Sequence, residues 1–95
     1  MIFSVGIGKF VRRDFDSILK HASERDRVRL QITYDYLTQV ELREDAHLKG
    51  EGFAWDTSFR KLTRGALEVF YKVRSLDDRY IGLRHIRRVE PNPES

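Results

Sequence analysis

At 95 residues, with 40% hydrophobic side chains and no cysteine, the chain has room for one domain with a modest core, and a disulfide framework or thiolate metal site is excluded. No apolar run could span a bilayer, and the opening MIFSVGIGKFVRR lacks a signal peptide's basic n-region, long apolar run and cleavage site, so a cytoplasmic domain is expected. The formal charge is only +3, but residues 57–88 carry nine Lys/Arg against Glu68, Asp77 and Asp78, whereas residues 1–56 are net −1; such a basic half suits either a polyanionic partner or a solvated sheet face.

The first element is a strand, because Phe3, Val5 and Ile7 alternate with Ser4 and Gly6. From Lys9 the period changes: Val11, Phe15, Ile18 and Ala22 fall on one helical stripe. Ser23 followed by Asp26 resembles a capping box and starts a second helix. The stretch RVRLQITYDY is ambiguous, since Val28, Leu30, Ile32, Tyr34 and Tyr36 also alternate as a strand would. No Gly or Pro occurs between Lys9 and Lys49, and strands rarely follow a helix without a breaker. A helix over 24–41 is therefore expected, with Leu30, Tyr34, Leu37 and Val40 inward and Val28, Ile32 and Tyr36 flanking.

After the turn-rich loop REDAHLKGEGF come three strands, Trp55–Leu62, Ala66–Arg74 and Arg79–Arg88, joined by hairpins at TRG and SLDD. Leu67, Val69, Tyr71 and Val73 share a face opposite Glu68, Phe70 and Lys72. On the last strand Ile81, Leu83 and His85 are expected on one face, opposite Arg84 and Arg88. The order is β-α-α-β-β-β: an α+β domain over 1–90 in which a helical hairpin lies on a three-stranded antiparallel meander. Pro91 and Pro93 make 91–95 a loose tail.

GIGKF sits between a strand and a helix, but it lacks the spacing and the Ser/Thr of a Walker loop. His21, His47 and His85 fall in three elements without ligand spacing, so no metal and no cofactor is expected. What remains is the basic sheet: Arg60, Lys61, Arg64, Lys72, Arg84, Arg87 and Arg88, with His85 among them. Cleaving an RNA phosphodiester needs a base at the 2′-hydroxyl, cations on the phosphate and an acid at the leaving oxygen. Arginine and lysine can supply the charge, and histidine the proton transfer. The alternative for His85 is a strand-end side chain bonded to backbone, and Tyr71 and Phe70 read as packing groups.

The element order, together with HLKGEG, ALEVFYKV, DDRYIGL and RHIRR, resembles the RelE/ParE superfamily of bacterial and archaeal toxins, which are encoded beside an antitoxin. The likeness covers nearly the whole chain. It implies a cognate antitoxin partner and, for the RelE-like branch, metal-independent cleavage of messenger RNA at the ribosomal A site. By position Lys61 matches a strand lysine of that branch and Arg87 or Arg88 the cation ending its last strand, with Arg60 the alternative match on the first hairpin strand. With the charge and proton-transfer groups read from the residues themselves, the candidates for catalysis are Lys61, Arg64, His85, Arg87 and Arg88, with Arg60, Lys72 and Arg84 binding RNA. Glu68, or Leu67 if the hairpin is shifted, stands where that branch has an arginine, and its C-terminal tyrosine has no counterpart in EPNPES. ParE-like members, which lack most of the catalytic set, imply a non-catalytic inhibitor of DNA gyrase instead. A small basic nucleic-acid-binding module is the third reading.

Overall fold

The computed structural model describes residues 2–43, 51–52 and 59–89. The chain starts with strand β1 (Ser4–Ile7) and turns directly into helix α1 (Lys9–Lys20). Val11 and Phe15 of the expected stripe are buried, Ala22 lies just beyond the helix end in the same core, and Ile18 packs against it. Helix α2 (Glu24–Asp35) begins as its sequence asks: the Ser23 hydroxyl accepts from the Asp26 amide at 3.2 Å, satisfying one otherwise unpaired N–H. Helix, not strand, is the outcome for RVRLQITYDY, with Leu30 and Tyr34 buried and Val28 and Ile32 exposed.

The helix does not stop at Asp35. Tyr36–Glu41 widen into a π turn, in which the Leu42 amide donates to the Leu37 carbonyl five residues back. The wider turn seats Leu37 and Leu42 in the core together. Thr38 Oγ1 bonds the Tyr34 carbonyl at 2.8 Å, so its buried hydroxyl is satisfied. The Arg43 carbonyl then accepts from the Phe3 amide, tying the end of this segment to the start of β1.

The remaining strands are β2 (Glu51–Gly52), β3 (Phe59–Arg64), β4 (Leu67–Ser75) and β5 (Tyr80–Arg88). The meander β3-β4-β5 is antiparallel as expected, but the whole sheet is mixed, with spatial order β1-β5-β4-β3-β2 and β1 parallel to β5. The loop Gly65–Ala66 closes the first hairpin, with Gly65 at φ +56°, the conformation that a type II′ turn asks of glycine. Arg79 closes the second hairpin at φ 54°. The helices cover one face of the sheet, where Phe3, Phe15, Tyr34, Leu67, Val69, Tyr71, Ile81, Leu83 and Ile86 form the core. Of the expected loop REDAHLKGEGF, Glu51 and Gly52 instead form the short strand β2 against Lys61 and Arg60, while the expectations for residues 44–50, for 55–58 and for the tail 91–95 fall outside the described residues.

One expected face is corrected. Tyr71 pairs with Leu83 but Phe70 with His85, so Arg84 is an extra residue, a β-bulge. Beyond a bulge the alternation of a strand is reversed. Ile86 therefore enters the core, while His85 turns to the outer face.

Candidate functional site

Register sorts the basic residues onto two sides of the sheet. Lys61, Glu68, Phe70, His85 and Arg87 occupy neighbouring outer positions, because Lys61 pairs with Phe70, Phe70 with His85, and Glu68 with both Thr63 and Arg87. Lys72 is on the same side, opposite Phe59 and Gly82, with its ammonium 5.5 Å from the Phe59 ring centre. Arg60, Arg64 and Arg88 pair with Tyr71 and Leu67 on the helix side.

Glu68 is the centre of the outer cluster. Its carboxylate is nearly buried. Oε1 accepts from Arg87 Nε at 2.7 Å, Oε2 accepts from Thr63 Oγ1 at 3.1 Å, and Lys61 Nζ stands 4.0 Å from Oε2. Arg87 keeps 59% of its side chain exposed. One edge of its guanidinium thus holds the carboxylate while the group stays accessible, 5.6 Å from the Phe70 ring centre. His85 lies against the same ring, 5.2 Å between centroids at 43°. Phe70 is thus an outer-face aromatic flanked by a histidine and an arginine, where its sequence context suggested only packing.

The helix-side arginines are engaged differently. Arg64 Nη1 bonds Glu41 at 3.0 Å and stacks 3.7 Å from the Tyr36 ring centre. Arg88 Nη2 reaches Asp26 at 3.2 Å. The six positions Lys61, Lys72, Arg84, His85, Arg87 and Glu68 therefore belong to the outer side or the bulge, and Arg60, Arg64 and Arg88 do not join them. Arg60 neighbours the buried Tyr71: burial pushes that phenol up to about 12, against a smaller downward pull from the Arg60 charge.

Sequence reasoning missed the role of Glu68 as a counter-charge for Arg87 and Lys61. A single carboxylate in a strand surrounded by cations was the visible signal. Among the described residues no three His, Asp or Glu side chains converge as metal ligands would, and no helix is long and apolar enough to cross a membrane.

No protein-family model and no curated protein matches this chain in sequence. Solved structures match in fold. The toxin–antitoxin complex RelBE2 from Mycobacterium tuberculosis superposes with a TM-score of 0.69 at 13% identity, over 93% of this chain and 99% of that one. The chromosomal ParDE TA system from P. aeruginosa gives a TM-score of 0.66 at 21% identity, over 94% of this chain and 98% of that one. The isolated E. coli RelE toxin gives 0.59 at 11% identity, over 99% and 90%. The chain has the fold of the RelE and ParE toxin structures.

Proposed function

We propose that this chain is the toxin of a toxin–antitoxin pair and a ribosome-dependent endoribonuclease acting on messenger RNA, with an antitoxin as its protein partner. The observation that carries this reading is the convergence of Lys61, Glu68, His85 and Arg87 on one face of three adjacent strands. That set contains one group for each requirement of the reaction. Glu68 takes the 2′-hydroxyl proton, and the 2′ oxygen attacks phosphorus. Lys61 and Arg87 meet the charge that builds on the phosphate. His85 protonates the departing 5′ oxygen as the P–O5′ bond breaks. One fragment ends in a 2′,3′-cyclic phosphate, the other in a 5′-hydroxyl. Arg87 covers Glu68 in the free protein and exchanges it for the phosphate when RNA binds. Phe70 offers its ring to a base beside the scissile bond. Arg64 on β3 and Arg88 on β5 hold the π turn and α2 to the sheet through Glu41 and Asp26.

A second reading is favoured by one feature: the Glu68–Arg87 pair is already complete at 2.7 Å, with the carboxylate nearly buried. If that pair is purely structural, the chain acts by binding a protein, as a ParE-like inhibitor of DNA gyrase. Inducing the protein in cells separates the two. Messenger fragments carrying 2′,3′-cyclic ends, with supercoiling normal, support the nuclease. Growth arrest with intact messages and blocked supercoiling replaces it with the second reading.

A further inference from the structure

We propose that a cleft at the β1–β5 edge of the outer face binds a phosphate group of the RNA strand, next to the one held at Lys61 and Arg87. This proposal rests on the RNA reading above. Gly6 and Gly82 lie side by side in the parallel register, and their missing side chains leave a floor. A Cβ on Gly6 would collide with the Tyr80 hydroxyl, and one on Gly82 would stand 3.3 Å from Arg74 Cγ and 4.0 Å from Arg84 Cδ. The phenol and the two arginine stems therefore stand directly over glycine backbone. The resulting cleft has a volume of about 300 Å³, ample for a phosphate group.

The chemistry of the lining selects an anion. Arg64, Arg87 and Arg88 each hold a carboxylate. Arg74 and Arg84 meet none among the described residues. The bulge that turns His85 outward also sets Arg84 beside this cleft. Two guanidinium forks match the oxygens of a phosphate, and the Tyr80 hydroxyl adds a donor. Gly8, at the rim, begins α1 without a side-chain cap and with no acid in the first turn, so the helix dipole adds to the same positive field. Gly82 and His85 are three positions apart on β5, roughly 10 Å at a strand's rise. One nucleic-acid strand crossing His85 can place a neighbouring phosphate in the cleft.

The test has two arms that need no cleavage step. In the first, inorganic pyrophosphate is titrated into the wild type and into an R74Q/R84Q variant while amide resonances are followed. The wild-type amides of Gly6, Gly8, Lys9 and Gly82 are expected to shift together, with affinity at least tenfold weaker in the variant. In the second, affinity for a short single-stranded RNA is measured against salt. The slope of log affinity on log salt is expected to fall by about 0.7 in the variant, the loss of one neutralised phosphate. No shift at those amides in the wild type overturns the cleft as an anion site, and an unchanged slope overturns its use for RNA. A wild type that responds to pyrophosphate and binds no RNA overturns the assignment to RNA as well. Absence of cleavage with both arms positive would sink the nuclease reading alone.

Discussion

Replacing Glu68 by glutamine separates its chemical role from its structural one. The amide has the same shape, keeps an acceptor for Arg87 and can still pair with Thr63. What disappears is the charge. Because Arg87 is 59% exposed, water screens the ion pair, so its loss costs about 1 kcal/mol or less. For a domain of this size that lowers the melting temperature by no more than roughly 4–8 °C, so E68Q should stay folded. Catalysis should respond much more strongly: loss of a general base typically costs on the order of 10²–10⁴ in rate. RNA affinity should move the other way, since Arg87 and Lys61 no longer share their charge with a carboxylate. The assay is single-turnover cleavage on programmed ribosomes at saturating protein, paired with a filter-binding isotherm and a melting curve. E68Q that cleaves at the wild-type rate would refute the base assignment. E68Q that binds RNA more weakly than wild type would refute the claim that the carboxylate and phosphate compete for Arg87.

Three further outcomes follow from the core. Tyr71 has its phenol raised from 10 to about 12 by burial, so the folded protein keeps that proton after the unfolded chain has lost it. Stability is then full below pH 10 and falls by about 2–3 kcal/mol as pH rises through 12; urea midpoints at pH 9 and 11.5 should show the drop in wild type, and it should be smaller in Y71F. Phe15 is fully buried and stacks on Tyr34 with ring centroids 4.0 Å apart, so F15A should cost about 3–5 kcal/mol in chemical denaturation. The Tyr34 hydroxyl is buried without a hydrogen-bond partner among the described residues; Y34F should therefore be neutral or stabilising by up to about 1 kcal/mol, and a loss of more than that in the same denaturation experiment would reveal a missed partner.

The parts of the fold that depend on local chemistry were legible in the sequence. Ser23 and the Val11/Phe15 stripe mark the helices, and Gly65 marks the hairpin, because caps, periods and turns act over a few residues. The bulge at Arg84 was not legible. Alternation assigns Ile81, Leu83 and His85 to one face, and only the need to bury Ile86 signals the extra residue. The outcome decides the site, since it is the bulge that brings His85 beside Phe70. Lys61, His85 and Arg87 could be named as candidates from their positions on strands. Their grouping could not, because it depends on the register that sets Glu68 against Arg87. Nor could the removal of Arg64 and Arg88, whose carboxylates on Glu41 and Asp26 lie 23 and 62 residues away in sequence.

The most direct test is cleavage of a messenger RNA on ribosomes by purified wild type, H85A and R87A, with fragment ends mapped and their termini identified. The expected result is ribosome-dependent fragments ending in 2′,3′-cyclic phosphate, with R87A and H85A each slower by about a hundredfold or more, H85A retaining the wild-type melting profile and R87A melting lower but still cooperatively, because it leaves the nearly buried Glu68 carboxylate without its partner. Wild-type protein that leaves the message intact at every ribosome concentration would contradict the nuclease, and H85A and R87A that cleave as fast as wild type would contradict the site.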